Sequence, residues 1–134
     1  MSGEDEPKQA EHEQFKRALK KARPLPTVDW WRAMQHIPSP VEIHALAIEK
    51  GWYREERKIP ELLCLVHSEV SEALEGYRSG KILTGHGCVA EELADIVIRV
   101  FDMAAYLKIP IGKAIAKKHA RNKKRPFRHG GKQC

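Results

Sequence analysis

Two pairs of acidic residues in this chain have the spacing that places both members of a pair on one face of a helix. Glu69 and Glu72 are three residues apart, as are Glu92 and Asp95, and residues at that spacing are neighbours on a helix surface. Glu69 falls inside the apolar stripe of its helix, and Glu72 falls at the edge of that stripe. If the two helices pack antiparallel, the four carboxylates converge beside the buried face.

Four carboxylates in a half-buried space need compensation, because burying an unpaired charge is costly. Either some of them bind protons or a cation neutralises them. Oxygen ligands favour Mg²⁺, Mn²⁺ or Ca²⁺ over zinc, and Mg²⁺ usually completes its coordination with water and substrate phosphates. A single glutamate on a helix is more often solvated or ion-paired. Two such pairs on consecutive helices, one reaching into an apolar stripe, instead favour a site for a hard divalent cation, Mg²⁺, Mn²⁺ or Ca²⁺.

Positive charge is concentrated at the C-terminus. Residues 113–134 hold nine of the 24 Lys and Arg residues and none of the 18 Asp and Glu residues, so the first 112 residues have a balance of −3 although the whole chain is +6. A mildly acidic body with a strongly basic tail suggests either a nucleic-acid partner or a phosphate ligand held between an acid-bound metal and the tail.

Four helices are predicted to position these residues. The first begins at "SPVE", with Ser39 as N-cap and Glu42 completing a capping box, and ends at Gly51. The others span about 60–77, 88–107 and 110–124, and a glycine-rich loop, "RSGKILTGHG", separates the second from the third. Apolar residues of the second helix define its stripe: Leu62, Leu65, Val66, Val70, Ala73 and Tyr77. No segment alternates with period two, so the chain is predicted to be an all-α, antiparallel bundle of these four main helices.

The remaining sequence limits the class of protein. Residues 1–38 are predicted to be a partly helical or poorly ordered extension, and residues 39–134 a single domain ending in the basic tail. Three cysteines without CxxC spacing, a polar acidic N-terminus and the lack of a long apolar run predict a cytoplasmic protein without disulfides, secretory signal or membrane span.

Three stretches of this sequence carry a resemblance to a known family: "ELLCLVHSEVSEALEGYRSG", "EELADIVIRVFDMAAYLKI" and "KHARNKKRPFRHGGK". In this order and at these distances they resemble the MazG-like branch of the all-α nucleoside triphosphate pyrophosphohydrolases, over roughly residues 40–132. The resemblance implies the fold of that family and Mg²⁺-dependent hydrolysis of ribo- or deoxynucleoside triphosphates to monophosphate and pyrophosphate, as in nucleotide-pool house-cleaning.

The family's site residues are carried over at matching positions. By this similarity Glu69, Glu72, Glu92 and Asp95 are metal ligands, and the residues matched to phosphate binding are Lys118, Asn122, Arg125, Arg128 and Lys132. Glu69 and Glu72 are the candidate catalytic residues because a carboxylate beside the metal can orient or deprotonate a water, and Glu69, which faces inward, is the preferred base. Those matched to base binding are His44, Ile48 and Trp52. Where the family often has two adjacent acids, EExxE, this chain has Ser68 in the first position, which leaves the number of metal ions open.

Arg99 has more than one possible partner. Its spacing allows a pair with Asp95 or Asp102, and it could equally meet a phosphate. The other acidic residues of these helices, Glu75, Glu91 and Asp102, are interpreted as structural or solvated.

Two rival interpretations come from other classes of protein. A small, basic nucleic-acid-binding helical protein without catalysis would account for the tail, but the inward carboxylates would repel a nucleic-acid backbone. A ferritin-like di-iron bundle requires a Glu-x-x-His from each of two helices, and neither acidic pair is followed by such a histidine. A four-helix chain with an open acidic cleft is also predicted to form a homo-oligomer, either a dimer or a tetramer.

Overall fold

A computed structural model of the chain describes residue 32 and residues 34–126. The chain divides into two units, Met1–Ile37 and Pro38–Cys134, and nearly all described residues belong to the second. Most of the predicted N-terminal extension, residues 1–31 and 33, and the last part of the basic tail, including Arg128 and Lys132, therefore lie outside the described residues.

The described part of the second unit contains four helices and no strand, as predicted for an all-α protein. They are α1 (Pro40–Glu49), α2 (Ile59–Arg78), α3 (Val89–Tyr106) and α4 (Ile111–Lys123). No helix among the described residues is long and apolar enough to cross a membrane.

The predicted capping box begins α1. Ser39 Oγ accepts a hydrogen bond from the Glu42 amide, and the Ser39 amide donates to the Glu42 carboxylate at 2.8 Å. The hydrogen bonds from Ser39 to the carboxylate hold the pKa of Glu42 below its ordinary value. Pro40 occupies the first turn, where its missing amide hydrogen removes no helical bond.

The first three helices end in the same motif. In each, the second residue past the helix is in the left-handed region: Gly51 after α1, Gly80 after α2 and Lys108 after α3. After α3, the Ile109 amide donates to the Ala104 carbonyl and the Lys108 amide to the Ala105 carbonyl, which is the hydrogen-bond pattern of a Schellman motif. Lys108 adopts this conformation without the freedom that glycine has at the other two positions.

Helix α3 is the centre of the packed unit, because α1 and α2 both pack against it. Helices α2 and α3 are antiparallel, since Gly76 lies beside residues 87–89 and Glu69 beside Arg99. Helix α4 does not pack extensively on any of the other three. The predicted four-helix arrangement is therefore a three-helix unit with a separate fourth helix, as far as the described residues of one chain extend.

The interior of this unit is small. Among the described residues, the buried hydrophobic side chains are Leu62, Cys88 and Ala104. Val70, Leu74 and Tyr77 follow one another along α2 at helical spacing, and all three are exposed. Two of these, Val70 and Tyr77, belong to the predicted apolar stripe, so that stripe is only partly covered within one chain.

Candidate metal site

Helices α2 and α3 bring three of the four predicted ligands together. Carboxylate oxygens of Glu69, Glu92 and Asp95 all lie within 4.8 Å of one another. Glu69 is 6% exposed and Glu92 is 5% exposed, while Asp95 is half-buried. The convergence follows from the antiparallel pairing, which sets the inward face of α2 against the start of α3. We call these three residues the acidic cluster.

The fourth predicted ligand, Glu72, lies at the edge of this cluster. Its side chain is exposed, and it lines a groove of about 210 Å³ to which Glu92 also contributes. Its negative charge is close enough to Glu92 to affect the titration of that residue. Glu72 therefore lies on the solvent side of the buried acids.

The electrostatics of the acidic cluster disfavour three ionised carboxylates. Burial raises the pKa of Glu92 above its ordinary value of 4.5, and the charges of Glu72, Glu69 and Asp95 and a hydrogen bond with Glu69 add to the rise. A buried acid whose pKa is raised in this way is a candidate functional residue, although structural clusters also perturb acids.

Arg99 provides the positive charge closest to these acids. It lies on α3 one turn after Asp95, and its Nε–H donates to Oε1 of Glu69 on α2. Its partner is therefore a residue of the neighbouring helix. Within the described part of the chain it pairs with neither Asp95 nor Asp102, the two acids that its spacing on α3 suggested.

A polar stripe runs along α3 from these acids toward the C-terminal end. Its members are Glu92, Asp95, Arg99 and Asp102, at spacings of three, four and three residues, which is one face of a helix. Asp102 lies at the far end and makes a different set of contacts, to α1 and to the segment between α1 and α2.

Asp102 binds two donors. Its Oδ1 is 2.7 Å from Nδ1 of His44, and its Oδ2 accepts a hydrogen bond of 2.7 Å from the Tyr53 hydroxyl. An ionised carboxylate only accepts hydrogen bonds, so Nδ1 of His44 carries the hydrogen. Burial, together with the hydrogen bond to Asp102, raises the pKa of the Tyr53 hydroxyl. The Tyr53 ring meets His44 edge-on at 4.6 Å, and Tyr106 lies beside both rings. We call these four residues the aromatic cluster.

The three residues matched to base binding do not share one environment. His44 is part of the aromatic cluster and is largely covered, whereas Ile48 and Trp52 are more than half exposed. Ile48 is one helical turn beyond His44, and Trp52 follows the end of α1. An exposed Trp and Ile near one another can receive a planar base, but the described contacts of His44 are with Asp102 and the tyrosines.

The phosphate-binding residues predicted on the tail lie elsewhere in the single chain. Lys118 and Asn122 line a groove of about 430 Å³ along α4, together with His119 and apolar residues of that helix. Arg125 is exposed just beyond α4. No residue of the acidic cluster contributes to that groove.

Sequence reasoning missed a lysine and a histidine that lie beside the acids. Lys81 and His86, on the loop between α2 and α3, line the same groove as Glu72 and Glu92. The loop can approach α2 closely because residue 76 is a glycine. A Cβ at that position would lie 2.5 Å from the Gly87 carbonyl oxygen, which is too close. The available signal was the loop itself, since it joins the two acidic pairs and must therefore start and end beside them.

The donor set of the acidic cluster suits a hard divalent cation. All of its candidate ligand atoms are carboxylate oxygens, two of the three side chains are more than nine-tenths buried, and all lie within 4.8 Å of one another. Mg²⁺ and Mn²⁺ take such ligands, whereas zinc sites are mostly built from nitrogen and sulfur. Glu69, Glu92 and Asp95 would hold the ion, with Glu72 next to them at the solvent side.

Comparison of the chain with models of protein families, with curated proteins and with solved structures finds no match.

Proposed function

We propose that this protein is a Mg²⁺-dependent nucleoside triphosphate pyrophosphohydrolase of the MazG-like type, acting in the cytoplasm on ribo- or deoxynucleoside triphosphates. One observation carries the proposal: two acids that are more than nine-tenths buried, Glu69 and Glu92, meet Asp95 within 4.8 Å across two antiparallel helices. Stability alone does not favour such a cluster, because burying like charges together is costly. A cation would neutralise these carboxylates and could bind the phosphates of a substrate.

The residues around the cluster can divide the work of hydrolysis. A bound Mg²⁺ would supply Lewis-acid stabilisation of charge on the phosphoryl oxygens. Glu69 or Glu72 would orient and deprotonate the attacking water, and Glu72 has the direct access to solvent that this task needs. Lys81 and His86 lie in the groove beside Glu72 and would stabilise the charge that develops on the leaving pyrophosphate.

Residues on α4 can contribute to the same reaction only if a larger assembly brings them to an acidic cluster. We propose a homo-oligomer, a dimer or a tetramer, because the exposed stripe Val70, Leu74 and Tyr77 lies on the helix that carries Glu69 and Glu72. A second chain packed on this stripe would remove its apolar side chains from water. Sedimentation at micromolar concentration should give a dimer or a tetramer, and a monomer would contradict the assembly.

Product analysis tests the proposed reaction. The purified full chain is incubated with a panel of ribo- and deoxynucleoside triphosphates, with Mg²⁺ or with chelator, and nucleotides, pyrophosphate and phosphate are resolved by ion exchange. We expect monophosphate and pyrophosphate, lost with chelator and with Glu92→Gln, but retained with Glu61→Gln, which changes an exposed acid near the start of α2, outside the acidic cluster. Release of diphosphate and phosphate, or no turnover across the panel, would contradict the proposal.

The alternative function, binding of nucleic acid without catalysis, is favoured by α4. This helix carries Lys113, Lys117, Lys118, Arg121 and Lys123, all exposed, and no acidic residue. Fluorescence anisotropy with labelled DNA and RNA at several salt concentrations distinguishes the two functions. Affinity that falls steeply with salt, together with no turnover and no effect of Glu72→Ala, would support the alternative.

A further inference from the structure

Arg99 and Glu69 form an ion pair inside the acidic cluster. Glu69 is almost fully buried and has only acceptor atoms when ionised, so it needs a donor or a cation. Within the described structure Arg99 meets that need by donating Nε–H to Oε1 of Glu69. Removal of the arginine alone would leave a buried carboxylate uncompensated.

The same carboxylate is one of three that can hold a metal ion. A divalent cation bound among Glu69, Glu92 and Asp95 would compete with the guanidinium for the oxygens of Glu69. The two cations would also repel each other at such short range. The Arg99 side chain is 32% exposed, so the guanidinium can leave Glu69 for solvent without crossing the protein interior.

We propose that Arg99 is an internal counter-cation that the metal ion must displace from Glu69. The inference rests on the proposed metal-dependent function and adds a regulatory element to it. The arginine stabilises the metal-free protein and lowers metal affinity, so that metal loading and release of the guanidinium occur together. The released guanidinium remains one turn from Asp95, at the edge of the loaded site.

Binding of Mn²⁺ to the full chain tests this exchange without relying on turnover. Mn²⁺ is titrated against the wild type, Arg99→Gln and Arg99→Lys, and free Mn²⁺ is followed by electron paramagnetic resonance. Arg57→Gln is the matched control, because Arg57 forms an ion pair of 3.1 Å with Glu61, outside the acidic cluster. We expect Arg99→Gln to bind Mn²⁺ roughly 10-fold more tightly than the wild type, since a hydrogen bond to a charged group has been removed from the competing state. Arg57→Gln should match the wild type.

Thermal unfolding gives a second readout. In chelator, Arg99→Gln should unfold at a lower temperature than the wild type, and saturating Mn²⁺ should remove most of that difference. Arg99→Lys keeps the charge, so its unfolding temperature in chelator should lie between those of the wild type and Arg99→Gln. This variant also provides the test if Arg99→Gln does not fold.

The outcomes separate this inference from the proposed function. Equal or weaker Mn²⁺ binding by both Arg99 variants would overturn the exchange and leave the metal site intact. Absence of Mn²⁺ binding by the wild type and both variants would overturn the metal site and the exchange together.

Discussion

The two ends of the polar stripe on α3 stabilise a carboxylate in different ways. Asp102, in the aromatic cluster, has a hydrogen-bond donor for each oxygen, from His44 and from Tyr53. Glu92, in the acidic cluster, lies among Glu69, Glu72 and Asp95, and burial raises its pKa. One helix face therefore carries one carboxylate that the fold satisfies and another that it places among like charges.

This difference indicates which end is structural and which end is available for chemistry. A carboxylate with two good donors contributes to stability and gains nothing from a further ligand. A carboxylate placed among other acids destabilises the protein until a proton or a cation arrives. Removal of a negative charge should therefore have opposite effects on stability at the two ends of α3.

The largest expected effect concerns activity. Glu92→Gln should lower turnover of the best triphosphate by roughly 100-fold or more, because it removes a metal ligand and even outer-shell changes at metal sites cost about 10–100-fold. Asp102→Asn, the equivalent change at the other end of α3, should lower turnover by less than about 10-fold. Steady-state kinetics at saturating Mg²⁺ measures the turnover of both variants. Equal losses would mean that the two ends of α3 do not differ in their role in the reaction.

The aromatic cluster should dominate stability. Asp102→Ala leaves the Tyr53 hydroxyl and Nδ1 of His44 without their acceptor, and each buried donor left unsatisfied costs about 1–3 kcal/mol. Both donors are only half-buried, so each should cost an amount near the lower end of that range, and urea denaturation at neutral pH in chelator should show a total loss of about 2–3 kcal/mol. Tyr53→Phe is the milder control, with an expected loss of about 0.5–1.5 kcal/mol for one hydrogen bond. If Asp102→Ala leaves the free energy of unfolding unchanged, the aromatic cluster does not hold α1 against α3.

The acidic cluster should make metal-free stability depend on pH. The folded protein holds the proton of Glu92 more tightly than the unfolded chain does, so the contribution of Glu92 to the free energy of unfolding is fully present below about pH 4.5 and is lost as pH rises through the raised pKa. Glu92→Gln removes this contribution and should be more stable than the wild type at neutral pH in chelator. Urea midpoints from pH 4 to 8 measure the difference in stability. A wild type that becomes more stable relative to Glu92→Gln as pH rises would contradict the expected direction.

The smallest expected effect lies outside both clusters and serves as their reference. Lys108 has a φ of 57° at the end of α3, a conformation that costs a residue with a Cβ roughly 1–2 kcal/mol. Lys108→Gly should raise the free energy of unfolding by up to about 1 kcal/mol, because part of that gain is lost to the greater freedom of glycine in the unfolded chain. Activity should not change, which would show that stability alone does not account for the effects at Glu92.

The sequence predicts much of the fold because its signals are local. The capping box at Ser39, the glycines that follow α1 and α2, and the prolines near helix starts all act within a few residues, and the four helices begin and end within about two residues of the predicted positions. The inward position of Glu69 is also local information, since it follows from the periodicity of α2 alone.

Contacts between helices were not predictable in the same way. The hydrogen bonds of Asp102 join residues 58 and 49 positions apart, and the ion pair of Arg99 with Glu69 depends on how α2 and α3 align. A helical wheel gives the direction of a side chain but not the residue it meets. Whether Val70 and Tyr77 are covered within one chain or across a dimer is not set by the sequence pattern for the same reason, because periodicity marks an apolar face without saying what covers it.

The loop between α2 and α3 is held at both ends. The Lys81 amide donates to the Gly76 carbonyl, and the amides of Val89 and Ala90 donate to the carbonyls of Lys81 and Ile82. These bonds, with the tight approach of Gly87 to Gly76, fix where α3 starts relative to α2. Residues inserted at 83–84 would leave these bonds in place, whereas an insertion at 76–82 or 87–90 would disrupt the pairing that sets Glu92 and Asp95 beside Glu69. Variation in loop length, over evolution or in a designed library, is therefore compatible with this site mainly at those two residues.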